Sequence, residues 1–291
     1  FETGNVLIGS VSRLYMSNKC LLIADHKSVD KQIHIFNKND FSYLTSIGNF
    51  GEGPEEITVM GCLAIDEAHH QLYVSDHAKQ KIFSYDMDSV MVDSLYKPQV
   101  KTAMNETLFP SEYQYINDTL SIAALIKPTS TSTFNQFLGR WNMNTGEMIP
   151  MKYTHPDIQK KRITFAASEK AGIYVECYTR HDLMTICSLD GELLYNIYGP
   201  DWDGGNGNKL QSFGTVMIGN DKIFVSYCGE DYARDSFPTK ILVFDLEGNY
   251  LKTLETGYKI SDCCYDSFNN RIILSLNDVV QFAYLDIDGI I

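Results

Sequence analysis

The 291-residue sequence predicts an all-β fold, a six-bladed β-propeller with four antiparallel strands per blade. Three observations predict it. First, a short apolar strand recurs as LLIAD (21–25), LYVSD (72–76), LSIAA (120–124), IYVEC (173–177), IFVSY (223–227) and IILSL (272–276), with first residues 51, 48, 53, 50 and 49 apart. Such a period marks a repeat array in which each unit packs on its neighbours. Second, each copy is followed by a polar turn and another strand rich in β-branched and aromatic residues, as in KIFSYDMD and ILVFDLEG. Third, a further strand follows and one precedes, such as ELLYNIYG and FGTVMIG. Four short antiparallel strands per repeat make one blade.

The unit is clearest at 72–86, LYVSDHAKQKIFSYD: an alternating strand, a polar turn and a second alternating strand. Glycine turns close four of the hairpins, at Asn144-Thr145-Gly146, Asp190-Gly191, Glu247-Gly248 and Asp288-Gly289. Glycine there supplies the positive φ that tight turns need. Blades one to five fall at 10–47, 61–97, 111–153, 163–199 and 213–256, and the sixth repeat stops at Ile291 after its third strand. Residues 1–9 are strand-like and stand unused before blade one. They are expected to complete the last blade as its outer strand, closing the ring and removing two exposed edges. Residues 1–291 are thus read as a single propeller domain.

Composition limits the function. The net charge is −13, from 24 basic and 37 acidic residues, which argues against nucleic acid because phosphate neutralisation needs clustered Lys and Arg. The basic cluster Lys160-Lys161-Arg162, with Lys152 nearby, reads as a solvated loop. No run approaches the 18 apolar residues that a transmembrane helix requires. The chain begins at Phe1 rather than Met, which fits a processed secretory signal or a trimmed chain equally well. The seven cysteines form no CxxC or zinc-like spacing and read as small buried apolar residues. Cys263 and Cys264 are adjacent on a strand and so point to opposite faces. No cofactor is expected.

After blade one comes Ile47-Gly48-Asn49-Phe50-Gly51-Glu52-Gly53-Pro54-Glu55-Glu56-Ile57. This run, with the following LAIDEAHHQLYVSDHAKQKIFSYD, resembles the NHL-type repeat and the TolB-like six-bladed propellers of bacterial envelopes. Val74, Asp76, Lys81, Ile82 and Tyr85 fit that pattern, and Asp25, Ile33 and Phe36 partly repeat it. Glu55-Glu56-Ile57 replaces the usual Gly-x-Phe, and the match fades over blades three to six. The resemblance implies a periplasmic or cell-surface protein, often lipid-anchored upstream of such a domain, that binds something. It implies no catalytic residues. The glycine-rich run is not a phosphate loop, since it lacks Gly-Lys-Ser/Thr and leads into a strand rather than a helix.

Loops joining the second and third strands of each blade share a face with the links between blades, and loops on a rigid scaffold carry function. That face presents Asp25, His26 and Lys27; Asp76, His77 and Lys79; Arg180, His181 and Asp182; and Glu230, Asp231, Tyr232, Arg234 and Asp235. The links add His155 and Trp202. His beside a carboxylate suits a metal or acid–base site. The plainer reading has Asp25 and Asp76 bonding their own turns and the histidines solvated. In the link after blade four, Asp201, Asp203, Asn206 and Asn208 offer oxygen ligands for calcium. The EF-hand pattern fails there, at Gly205, Asn206 and Ser212, which favours a turn-rich linker. Trp202 either stacks on a sugar or partner, or tucks against a blade edge.

The expected function is an extracytoplasmic binding module for a protein, peptide or glycan. The alternative is a metal-assisted hydrolase or lyase acting on a lactone or carbohydrate in the central funnel. No nucleophile elbow or His-x-x-x-His supports catalysis, and fold alone does not assign it.

Overall fold

The computed structural model describes residues 1–207 and 209–291. Their strands form six antiparallel sheets in which sequential strands are neighbours, as expected for a six-bladed β-propeller. The chain divides into two compact units, Phe1–Pro150 and Met151–Ile291, with three sheets in each.

In the first unit, blade one is built from Ser12–Met16, Cys20–Asp25, Lys31–Asn37 and Tyr43–Asn49. Blade two holds Met60–Asp66, Gln71–Asp76, Lys81–Asp86 and Gln99–Ala103; blade three holds Phe109–Asn117, Leu120–Pro128, Phe134–Trp141 and Met148–Pro150. In the second unit, blade four holds Ile163–Ser168, Ile173–Tyr178, Leu183–Ser188 and Leu193–Tyr198. Blade five holds Leu210–Gly219, Lys222–Asp231, Lys240–Asp245 and Tyr250–Glu255, and blade six Ile260–Asp266, Arg271–Leu276 and Phe282–Asp286.

The recurring apolar run is the second strand of every blade. Each has strands on both edges, and Cys20–Asp25, Ile173–Tyr178 and Arg271–Leu276 are buried along their whole length. A strand covered on both faces reads as a continuous apolar run rather than an alternating one. Side chains of successive sheets interdigitate. Leu22 and Ile35 pack with Val74 and Phe83 in the first unit, and Val175 and Ile186 with Phe213 and Val225 in the second. The fourth strands lie outermost and carry exposed apolar residues, for example Leu193, Leu194 and Tyr195. All seven cysteines are buried and free, in keeping with their expected apolar role.

The 72–86 hairpin pairs Leu72 with Tyr85 and Asp76 with Lys81. The four expected glycine turns adopt positive φ, Gly191 at 89° and Gly248 at 83° among them. Blade two runs past its expected end. Asp86 caps a one-turn helix, Met87–Val90, by accepting the Ser89 amide at 2.7 Å, and this insertion pushes the fourth strand out to Ala103.

The segment 1–9, expected to close the ring on the last blade, packs within the first unit. It holds no strand, and the sixth sheet has three strands among the described residues. A turn with Gly4 at φ 62° bends the segment, the Asp25 carboxylate accepts the Gly9 amide at 2.7 Å, and Phe1 stacks on Phe41 at 4.0 Å, so the segment is tied to blade one. The basic cluster also departs from expectation, because Lys161 is buried rather than solvated. Among the described residues, no helix is long and apolar enough to cross a membrane.

Candidate functional site

The turns joining second and third strands do meet the inter-blade links. Asp76 ends a second strand and is fully buried; one oxygen accepts the Thr58 amide at 2.8 Å, and the other the amides of Val59, Ala78 and Lys79 at 3.0–3.2 Å. Lys79 then donates to the Gly53 and Glu56 carbonyls, holding the glycine-rich link against the turn. Asp25, at the matching place in blade one, accepts the amides of Gly9 and Lys27 at 2.7 and 3.0 Å. These carboxylates bond their own turns, as the plainer reading has it, and the preceding link as well.

The histidines beside them are half-buried rather than fully solvated. His26 and His77 meet at Gly61, which leaves room for both rings. His26 Nε2 lies 3.2 Å from the Gly61 carbonyl, and a Cβ on Gly61 would stand 2.1 Å from His77 Nε2. His77 also packs edge-on against Phe109 at 4.9 Å. Burial lowers the pKa of both below the usual histidine value.

In the second unit the chain gathers the other candidates. The second strand of blade four ends at Tyr178, the position that Asp25 and Asp76 hold in their blades, so Arg180, His181 and Asp182 lie further along the turn. The Arg180 guanidinium covers the Tyr232 ring of blade five, 3.1 Å from its centroid. Asp182 is buried and accepts the Asp201 amide at 3.0 Å, and burial raises its pKa. Gly199 makes that approach possible, since its Cβ would lie 2.1 Å from an Asp182 oxygen. The link 199–207 thus folds back over the turn. Trp202 tucks between His155, His181 and Tyr198, with ring centroids 5.0–5.9 Å away, which is the blade-edge reading rather than an open stacking platform. His155 Nε2 lies 2.9 Å from the Tyr198 hydroxyl.

His181 is only 6% exposed, and among the described residues its Nδ1 has no hydrogen-bond partner. An Asp203 oxygen is 3.9 Å away, beyond hydrogen-bond reach. Burial lowers the pKa of this ring, which favours the neutral form. The ring opens on a cavity of about 490 Å³ walled by Asp157, Gln159, Lys160, Arg162, Arg180, His181 and the 204–207 backbone. Asp157 and Gln159 escaped the sequence reading, and Lys160 and Arg162 entered it only as a solvated loop. Glu176 was the available signal: a charged residue inside an all-buried strand demands a partner, and Lys161 supplies it at 2.6 Å. That pair fixes the loop on which Lys160 and Arg162 sit.

The remaining candidates build turns. Asp231 accepts the Ala233 amide at 2.9 Å and caps the Tyr232–Arg234 turn, while Arg234 pairs with Glu230 at 2.9 Å on the surface. Among the described residues, Asp201 and Asp203 belong to no group of three or more His, Cys, Asp or Glu close enough to share an ion, and Asn208 lies outside the described residues. Among the described residues, the group close enough to share an ion is Asp66, His69 and Asp118, with ligand atoms within 4.8 Å of one another. Asp66 already accepts from Tyr73 at 3.0 Å and faces His69 Nδ1 at 2.8 Å, so its charge is met by protein groups.

The fold and these loops define a six-bladed β-propeller whose turn-and-link face carries a basic cavity. A family model described as a 6-bladed beta-propeller, DUF5128, matches residues 2–170, and the chain belongs to this family. Among curated proteins none matches in sequence. Solved structures share the fold at low identity. A DUF4221 member from Bacteroides vulgatus is similar at TM-score 0.62 and 10% identity, over 94% of this chain and 92% of that one. A candidate exported protein of Bacteroides fragilis is similar at TM-score 0.58 and 14% identity, over 93% and 80%. A chain of a nidogen/laminin complex is similar at TM-score 0.54 and 10% identity, over 84% and 78%.

Proposed function

We propose that this protein is an extracytoplasmic binding module that engages a protein, peptide or glycan through the loop face of blades four and five. The observation that carries the reading is the placement of Arg180, stacked on Tyr232 and standing at a cavity of about 490 Å³. That volume lies within the range of ligand pockets, and Arg and Tyr are the side chains that most often anchor interfaces. Loops held by a buried β scaffold supply such a site without loss of rigidity. The similarity to a candidate exported Bacteroides protein supports the location, as does the resemblance to envelope propellers of the TolB-like and NHL type. The similarity to a chain from a nidogen/laminin complex supports a propeller face as a protein-binding surface.

The test is a screen of immobilised protein against envelope glycans and peptides, followed by equilibrium titration of each hit on the parent and on Arg180→Ala. Weakening of a saturable hit by about tenfold or more in the variant supports the reading. Hits that bind both proteins equally place the site elsewhere and refute it.

A further inference from the structure

We infer that the cavity beside His181 receives an oxyanion, a carboxylate, phosphate or sulfate group carried by the ligand. This rests on the loop-face reading above and names the chemistry of that site.

The charge of the wall is the first ground. Lys160, Arg162, Arg180 and His181 line it against one carboxylate, Asp157, in a chain where acidic residues outnumber basic ones 37 to 24. An anion placed among such side chains gains Coulombic attraction from each of them. The two guanidinium groups are braced. Lys161 is spent on Glu176 at 2.6 Å, which fixes its two neighbours in the chain. Arg162 donates to the Lys161 carbonyl at 2.9 Å, and Arg180 is braced on the Tyr232 ring. A guanidinium held in this way offers a planar fork that matches the oxygen spacing of carboxylates, phosphates and sulfates.

The second ground is independent of charge. His181 is more than nine-tenths buried, it lines the cavity, and among the described residues its Nδ1 lacks a hydrogen-bond partner. Buried polar groups are nearly always satisfied, so an unpartnered ring nitrogen on a residue that lines a cavity favours a ligand that supplies an acceptor. As a neutral Nδ1–H tautomer, the ring donates to an acceptor oxygen without taking up a proton. The link 204–207 closes the cavity from the other side. Gly207 approaches so closely that its Cβ would lie 2.1 Å from the His181 ring, so the wall there is backbone rather than side chain. Asp157 within the wall and Asp203 beside the ring oppose a dense polyanion and favour one oxyanion on a larger ligand.

The experiment titrates galacturonate, inorganic phosphate and sodium sulfate into the full chain at low ionic strength, by calorimetry and thermal shift. Arg180→Gln, His181→Phe and Lys170→Gln are compared with the parent. Lys170 is an exposed cation outside the cavity and serves as the control. The expected result is saturable binding of at least one probe, weakened about tenfold or more by Arg180→Gln and by His181→Phe and unchanged by Lys170→Gln. His181→Phe is also expected to leave the unliganded melting temperature equal or higher, because it removes an unsatisfied buried group, so lost binding is not lost folding. No saturable binding of any probe, or equal loss with Lys170→Gln, overturns the inference. If the screen yields an Arg180-dependent ligand while all three probes fail, the oxyanion assignment falls and the loop-face reading stands. If a probe binds through Arg180 while every screened ligand ignores that residue, the loop-face reading falls and the oxyanion site stands.

Discussion

Lys161 donates to Glu176 at 2.6 Å, and both side chains are buried. Tyr178 adds a hydrogen bond to the other Glu176 oxygen at 3.1 Å. The pair joins a surface loop to the middle strand of blade four, so it couples the basic wall of the cavity to the core. Glu176→Ala would leave the Lys161 ammonium buried without its partner, and breaking such pairs costs about 3–5 kcal/mol. Urea unfolding should show that loss. A Glu176→Ala variant with parental stability would mean that Lys161 finds solvent at no cost.

Asp76 accepts four backbone amides across two segments, whereas Asp25 accepts two. Asp76→Ala should therefore destabilise more than Asp25→Ala. Unsatisfied buried donors at about 1–3 kcal/mol each, partly relieved by relaxation, suggest a loss on the order of 3 kcal/mol for Asp76. Both should exceed the effect of Arg234→Ala, which breaks a surface pair with Glu230 worth about 0–1 kcal/mol. Thermal melts of the three variants test the order.

Burial lowers the pKa of His26, His34, His77, His155 and His181. The folded protein then holds these rings neutral in a pH range where the unfolded chain protonates them. Below the unfolded histidine value of about 6.5 the unfolded state binds more protons, so stability falls as the pH drops from there. His69 runs the other way, its pKa raised by the hydrogen bond to Asp66, but it is fully exposed and one against five. Melting temperatures should be level above neutrality and decline through pH 6 to 5. A rise over that interval would contradict the burial of these rings.

Gly207 lies so near the His181 ring that a methyl group there must displace one of them. Gly207→Ala should shift the 199–207 link, lower stability by about 1–3 kcal/mol as overpacking does, and weaken any ligand of the cavity. Gly146→Ala, in a turn with nothing within 4 Å of the added Cβ, pays for its φ of 79° alone and should leave binding intact. Comparing the two separates cavity geometry from general destabilisation.

The blades were legible because a strand covered on both faces must be apolar at every position, and that run recurs six times. In residues 1–9 the strand-like apolar residues of ETGNVLIG were legible, whereas the capture of the Gly9 amide by Asp25 is a contact absent from local pattern. The turn residues were placed on the right face, yet their roles depended on distant partners. Asp25 and Asp76 are consumed by links, and the His181 ring owes its burial to a segment some twenty residues on, packing through Trp202 and Gly207. Lys160-Lys161-Arg162 looked solvated because composition reveals charge and not its partner. The lone Glu176 inside IYVECY was the clue that one of the three had to turn inward.

The account rests most heavily on where a ligand contacts the chain, and hydrogen–deuterium exchange with a bound hit from the glycan and peptide screen measures that directly. The account predicts slowed exchange confined to residues 155–162, 179–182, 199–207 and 232–235, with the outer strands of blades four and five unchanged. Protection centred on those outer strands, around Leu193–Tyr198 or Tyr250–Glu255, would contradict it.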